Sequence, residues 1–340
     1  MNVQIAIHHR KGSYSQLWIE YCEENGIAYK IVDCFQNDIL QQLKSMHALL
    51  WHWHHEQPEE VLVARHILIS AEKMGLKVYP NVSSCWHFDD KIAQKYLLES
   101  IDAPLVPTYV FYNLDKAVAW IKNTAFPKVF KLRKGAGAHN VKLVRNAEEA
   151  IALAKIAFNR GFKPVAGYFD DFETKAKKKR SKGEVVATIR RMPQIIKKKY
   201  ESNKSIGRER GYIYFQDYIP ENQYDIRIVV IGKRIFAYTR NVRKGDFRAS
   251  GSGSFNYDQS RIQPGCVKTA YDVARKIETQ SLAFDFVTDR SGEHKIIEIS
   301  YCFGTKGLNQ CPGYFDENGT WQNKQIMAQD AILLDLLEQL

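Results

Sequence analysis

The chain has 340 residues, 45% apolar and 26% charged, a make-up that fits a globular protein with a sizeable core and excludes a disordered one. No apolar run approaches the roughly 18 residues of a membrane span, and the opening MNVQIAIHHRKG carries no signal-peptide pattern. The net charge of +11 is uneven: Glu173 to Arg210 holds 14 Lys or Arg against 4 Asp or Glu, and the remainder is nearly neutral.

The first elements alternate. VQIAI reads as a buried strand, SQLWIEYCEENG as an amphipathic helix closed by Gly26, and YKIVDCF and HALLW as strands. PEEVLVARHILISAEKMG is a long helix stopped at Gly75, followed by KVYPN. This alternation predicts an open parallel α/β unit over residues 1–88. Ligands of such sheets lie at the carboxyl ends of the strands, which makes Arg10-Lys11-Gly12-Ser13-Tyr14 a candidate substrate edge. Trp51-His52-Trp53-His54-His55 has no further ligand group at matching spacing and reads as a strand-end loop with surface imidazoles. Six cysteines stand without a CxxC pair, which argues against a disulfide framework or zinc ribbon and for a reducing cytoplasm.

A second unit, 89–215, opens with the helix DDKIAQKYLLES behind two capping aspartates. APLVPTYV, the helix LDKAVAWIKNT and FPKVFKLRKGAGAHNVKLV follow. The last of these is strand, glycine-rich turn, strand. A dinucleotide fingerprint would open a helix after its glycines, whereas here VKLV continues as a strand. Gly135 and Gly137 therefore belong to a hairpin flap whose amides can fold over phosphates. An ordinary glycine hairpin is the plain alternative. In KVFKLR, Val129 and Lys131 share one face and Phe130 and Leu132 the other, so Lys131 either snorkels at an edge or meets an anion. Lys91 is a second candidate anion ligand, or a surface residue. The basic insertion lies near 167–210.

The third unit, 216–340, contains YIYFQDYIP from its border, two hairpins and a terminal helix, KQIMAQDAILLDLLEQL. In LAFDFVTDRSGEHKIIEIS, a loop centred on Ser291-Gly292 sets Asp285 opposite Glu298, with Ser300 on the same face. Two facing carboxylates repel, and a divalent cation with a taste for hard oxygen, Mg²⁺ above zinc, resolves the conflict. The alternative is an exposed face of an edge hairpin. GDFRASGSGSF sets Arg248 among small residues that let a backbone approach an oxyanion, or is a plain polar loop. Asp225 and Arg227 share one strand face and could form a structural salt bridge.

In this order, DK…L…PLVPTYV, FPKVFKL…GAGAHNV, FQDYI…DIRIVVIG, RKGDFRAS and FDFV…IIEIS resemble the ATP-grasp superfamily. They are most similar to its glutathione-synthase and ribosomal-protein glutamate-ligase branch. The resemblance runs from about Asp89 to Ser300. It implies an α/β fold, α+β in its ATP-grasp part, in which a parallel N-terminal domain precedes two α+β units that sandwich ATP. By resemblance, Lys91 and Lys131 contact ATP, and Gln216-Asp217-Tyr218-Ile219 is the hinge holding adenine. Asp225 falls near the ribose position, and Arg227 and Arg248 near the phosphates and the reacting carboxyl group. Asp285 and Glu298 match Mg²⁺ ligands, one or two ions, with Mn²⁺ as an alternative. Ser300 departs from the usual Asn at the last ligand position.

The implied chemistry is phosphorylation of a carboxylate by ATP to an acyl phosphate, then attack by an amine to give an amide and ADP. The acceptor would be an amino acid, a peptide, or an anionic sugar or glycan, the last favoured by the basic segment. A kinase on the same fold is one rival. A nucleic-acid-binding protein using the basic segment is a second, ranked lower because aromatic interleaving is sparse. A homo-oligomer is compatible with the resemblance.

Overall fold

The computed structural model describes residues 3–135, 140–163, 207–243, 247–249 and 253–340. Gly137 and residues 173–206 of the basic run lie outside the described residues.

Three sheets organise the chain. The first contains β1 (Ile5–His8), β2 (Tyr29–Val32), β3 (Ala48–Leu50) and β4 (Lys77–Tyr79), all parallel, in the order β2-β1-β3-β4. The expected alternation is present, with helices Ser15–Glu24 and Pro58–Lys73 between the strands. Every residue of β1 is buried, as befits a strand covered on both faces.

The second sheet is antiparallel, with β5 (Thr108–Phe111), β6 (Lys128–Lys131), β7 (Val141–Val144) and β8 (Ile213–Asp217) in the order β5-β8-β6-β7. Helices Leu114–Asn123 and Ala147–Phe158 pack on one of its faces, over Phe130, Leu132, Ile213 and Phe215. The alternation predicted for KVFKLR holds, since Phe130 and Leu132 enter this core while Val129 and Lys131 point the other way. The strand β8 pairs with β5 and β6, so the border expected at 215/216 falls inside a strand and the chain changes sheets only after Asp217.

The third sheet has β9 (Tyr224–Ile231), β10 (Arg234–Asn241), β11 (Phe255–Asn256), β12 (Ser281–Thr288), β13 (His294–Ser300), β14 (Tyr314–Phe315) and β15 (Trp321–Gln322). Its order is β13-β12-β9-β10-β14-β15, with β11 beside β10. Alternation along β9 separates two cores. Ile226, Ile228 and Val230 face helix Pro264–Ile277, while Val229 and Ile231 join the core shared with the first sheet and helix Ala328–Leu337. Each fully buried aliphatic or aromatic side chain in such a core contributes about 1.5–3 kcal/mol. The helix Pro264–Ile277 was not anticipated from the sequence, though Pro264 in its first turn and its buried positions Val267, Ala270, Val273, Ala274 and Ile277 follow helical spacing.

Asp285 pairs with Glu298 as expected, by a route that differs in one residue. The loop-side pairs Thr288–His294, Val287–Lys295 and Phe286–Ile296 are centred on Ser291 alone. A bulge between Asp285 and Phe286 on the pairing path leaves Ile297 unpaired and restores the anticipated register from Glu298 onward. Ile296 and Ile299 are therefore both buried, while Ile297 and Glu298 both turn to the opposite side.

Candidate active site

A cavity of about 750 Å³ lies between the second and third sheets. Its walls include Val129 and Lys131 of β6, Gln216 to Ile219 at the end of β8, Asp225 of β9, Asp285 of β12, Ile297 and Glu298 of β13, and Arg248. Residues far apart in sequence thus converge on one space. Lys91, Arg227 and Ser300 are not among the lining residues.

Lys131 is buried, and its Nζ donates to Gln216 Oε1 at 2.6 Å and to the bulge carbonyl of Ile297 at 3.4 Å. Burial pulls its pKa down to about 8, with Lys91 adding to the fall and Glu298 and Asp285 opposing it. Gln216 is fixed in turn by donating to Thr108 Oγ1 at 3.1 Å. Asp217 pairs with Lys128 at 2.5 Å, and the Lys128 ammonium lies 5.1 Å from the centre of the Tyr109 ring. Tyr218 meets the Phe247 ring edge-on at 5.7 Å, which brings the hinge to the Arg248 loop. Asn222 donates to the Thr288 carbonyl and accepts from the Thr288 amide, tying that hinge to β12.

Lys91 is buried, contrary to the surface alternative. Asp90 caps its helix by accepting from the amides of Ile92 and Ala93 at 3.1 Å each. Asp89 does not cap, and instead accepts from the Gly135 amide at 2.7 Å. Lys91 Nζ donates to the Gly135 carbonyl at 2.7 Å and stands 3.1 Å from Glu298 Oε1. Gly135 has φ +107°, a backbone conformation that other residues rarely adopt, so the flap base favours glycine.

Asp285 belongs to a buried network. Arg227 grips it with two hydrogen bonds, and Arg240 reaches its Oδ2 at 2.9 Å while chelating both oxygens of Asp225. Burial pushes the Asp285 carboxyl up, but the two guanidinium groups outweigh it and hold the pKa below the usual carboxylate range. For Asp225, burial wins over Arg240 and raises it. The suggested Asp225–Arg227 salt bridge is replaced by Asp225–Arg240 and Arg227–Asp285, because each arginine reaches across to a neighbouring strand: Arg240 faces Asp225, and Arg227 faces Asp285. Arg240 escaped notice in the sequence. The same hairpin arithmetic applied to the tight Gly232-Lys233 turn would have set it opposite Asp225.

The donor set fits a hard divalent cation. An ionised carboxylate offers about four lone-pair positions. Arg227 and Arg240 occupy three on Asp285, leaving one for a metal, and Glu298 is partly exposed at the cavity edge. Ser300 Oγ donates to the Cys302 carbonyl at 2.9 Å, and the Ser300 side chain does not line the cavity. These residues suit one ion better than two.

The carboxyl edge of the first sheet abuts the chain just beyond β13. Tyr14 donates to the Phe303 carbonyl, Tyr301 to the Trp53 carbonyl, and Cys302 Sγ lies 3.2 Å from His52 Nε2. His52 is no surface imidazole: it is buried, stacked on Tyr14 at 3.6 Å, and driven to about pKa 3 by burial with help from Arg10. Arg10 is held at 2.9 Å from the buried Glu60. The carboxyl edge of the first sheet, where the sequence suggested a substrate, is packed in this way against residues 301–303.

A parallel unit followed by two antiparallel sheets that enclose a lysine- and carboxylate-lined cavity is a recognisable architecture. This is the ATP-grasp fold. Residues 184–314 match the RimK-like ATP-grasp domain, bearing out the resemblance read from the sequence. Among solved structures, the RimK domain protein ATP-grasp from Sphaerobacter thermophilus shares 16% identity, over 90% of this chain and 93% of that one, with a TM-score of 0.53. D-alanine–D-alanine ligase from Bacillus anthracis, complexed with ATP, shares 12% over 92% and 90%, at 0.55. The ATP-grasp ligase PsnB, complexed with a minimal precursor, Mg and ADP, shares 11% over 98% of each chain, at 0.54. No curated protein matches the chain. Among the described residues, no helix is long and apolar enough to cross a membrane.

Proposed function

We propose that this protein is an ATP- and Mg²⁺-dependent, ADP-forming ligase that activates a carboxylate as an acyl phosphate and joins it to an amine. The observation that carries the reading is the pairing of Asp285 with Glu298 across a bulged hairpin, on the wall of a cavity that also holds Lys131. The ATP-, ADP- and Mg-bound ligases of the same fold support it.

ATP would enter the slot between the sheets, its base against Val129, Ile219 and Val287 and the backbone of 216–219. Lys131 would meet phosphate oxygens, its ammonium aimed by Gln216 and the Ile297 carbonyl. Lys91 braces the flap base and reaches Glu298, so it couples flap position to the carboxylate pair. Arg227 and Arg240 keep Asp285 ionised, and Arg248 faces the cavity where a substrate carboxylate would approach. Mg²⁺, held by Asp285 and Glu298, would supply charge neutralisation of the phosphates. No covalent nucleophile is needed; positioning and exclusion of water from the acyl phosphate carry the catalysis.

The acceptor is proposed to be anionic, on the sequence charge of the Glu173–Arg210 run. Replacing Lys177, Lys178, Lys179 and Arg180 with Gln should raise the KM for the acceptor and spare that for ATP. The difference should shrink from 0.01 M to 0.15 M salt as the Debye length falls from about 30 to about 8 Å. An acceptor KM that moves with neither variant nor salt removes the case for an anionic acceptor.

The function itself is tested by ADP release across panels of carboxylates and amines, with mass spectrometry of the product. An amide supports the ligase, a phosphoester would establish a kinase, and absence of nucleotide binding by calorimetry would overturn both.

A further inference from the structure

The loop after β3 carries a cluster outside the cavity just described. His54, His55 and Glu56 each offer a ligand atom, and these atoms lie within 4.8 Å of one another. The two imidazoles stack at 4.3 Å, and His54 Nδ1 is 3.9 Å from Glu56 Oε2. His55 Nδ1 is buried and, among the described residues, has no hydrogen-bond partner. The loop is held from both ends. Glu60 accepts from the His54 amide at 2.6 Å and is itself gripped by Arg10, while the His55 ring lies against Phe88, which packs on Tyr301.

We propose that His54, His55 and Glu56 form a transition-metal site that takes Zn²⁺-class ions and is distinct from the Asp285–Glu298 pair. Two imidazole nitrogens and one carboxylate oxygen match the ligand preference of Zn²⁺, whereas Mg²⁺ seeks oxygen alone. Ligand bonds of 2.0–2.2 Å require the donors to draw in to roughly 3.3 Å of one another, a contraction that takes rotation of three half-buried side chains. One local bond competes: the Glu56 amide donates to His54 Nδ1 at 3.2 Å and is displaced if the metal takes that nitrogen. With three protein ligands, at least one coordination position is left for water or an anionic ligand. The position of the loop, at the carboxyl edge of the first sheet and joined through Phe88 to Tyr301, sets the ion beside the wall that faces the end of β13.

The test is calorimetric titration of the full chain with Zn²⁺ in millimolar Mg²⁺, comparing wild type with His55→Gln and Glu56→Gln. One Zn²⁺ per chain at micromolar affinity, weakened at least tenfold in both variants, is expected. Absence of uptake by the wild type, or equal affinity in His55→Gln, overturns the site. Spectra of wild-type protein with Co²⁺ give an answer independent of the variants' folding. Visible bands of nitrogen and oxygen ligation are expected. A thiolate charge-transfer band would move the ion to Cys302 and His52 and overturn the assignment, as would a spectrum unchanged from free Co²⁺.

Discussion

At the residue scale, the two carboxylates opposite each other are not equivalent. Asp285 is almost completely enclosed and balances two arginines, so Asp285→Asn removes half of a buried charge pairing, a change that costs about 3–5 kcal/mol. Loss of activity in that variant would confound metal binding with folding. Glu298 is one-third exposed, and its ion pair among the described residues is with Lys91. Glu298→Gln should therefore keep the thermal midpoint within a few degrees while lowering ADP release by about 10²-fold, the scale of losing one preorganised charge contact. Near-normal turnover at saturating Mg²⁺ would remove Glu298 from the metal site. Lys131 makes a prediction in pH. Its native value of about 8 lies below the ordinary 10.5, so between these values the unfolded chain holds more protons and stability gains with rising pH. Nucleotide affinity runs the other way: above pH 8 the free protein loses the ammonium that phosphate needs, so the Kd for ATP should climb. In Lys131→Met the Kd should be larger at pH 7 and flat from pH 7 to 9.5. Calorimetry at several pH values decides this, and a flat wild-type profile would count against Lys131 as a phosphate ligand.

At the element scale, the legible features were those with a period or a register. Alternation in KVFKLR assigned Lys131 to the open face, and hairpin geometry assigned Asp285 to Glu298. What stayed hidden depended on neighbours supplied by tertiary structure. Burial of His52 comes from Tyr14 and the segment 301–303, and burial of Lys91 comes from the flap base and Glu298. Neither environment is local in sequence. The bulge at Ile297 was equally invisible, because shortening the turn by half a step and adding one residue leave the Asp285–Glu298 pair unchanged. Yet the bulge matters, since it presents the Ile297 carbonyl to Lys131 and Gln216. Deleting Ile297 should keep Asp285 opposite Glu298 and remove that acceptor. At 3.4 Å this contact is longer than a full charge-assisted hydrogen bond, so ATP affinity should fall by roughly a few-fold while the helical and strand content stays the same. Unaltered affinity in the deletion variant would show that the bulge carbonyl does not aim Lys131.

At the scale of the whole molecule, the cores predict how the chain opens. The first sheet, one face of the third and the terminal helix share a continuous core that includes Trp18, Tyr79, Val229, Tyr301 and Ile332. The second sheet has its own, built on Ala117, Ile121, Phe130, Val144 and Phe215. Its links to the rest include polar contacts: Lys91 and Asp89 to Gly135, and Lys131 and Gln216 to Ile297. The apolar cluster of the second sheet is separate from the clusters of the other two, so β5–β8 should open below the global unfolding free energy, whereas β1, β9 and β12 should open only with it. A nucleotide gripped by both sheets would close this gap. At a ligand concentration 100 times its Kd, binding adds about 2.7 kcal/mol to any opening that breaks the site. Hydrogen exchange should therefore show faster exchange in β6–β8 than in β1 and β9 in the free protein. ATP analogue with Mg²⁺ should slow β6–β8 by up to about 100-fold and leave β1 unchanged. Uniform exchange across the three sheets in the free protein, or ligand protection confined to the first sheet, would mean that the second sheet is not an independent lid and that the nucleotide is not held between the second and third sheets.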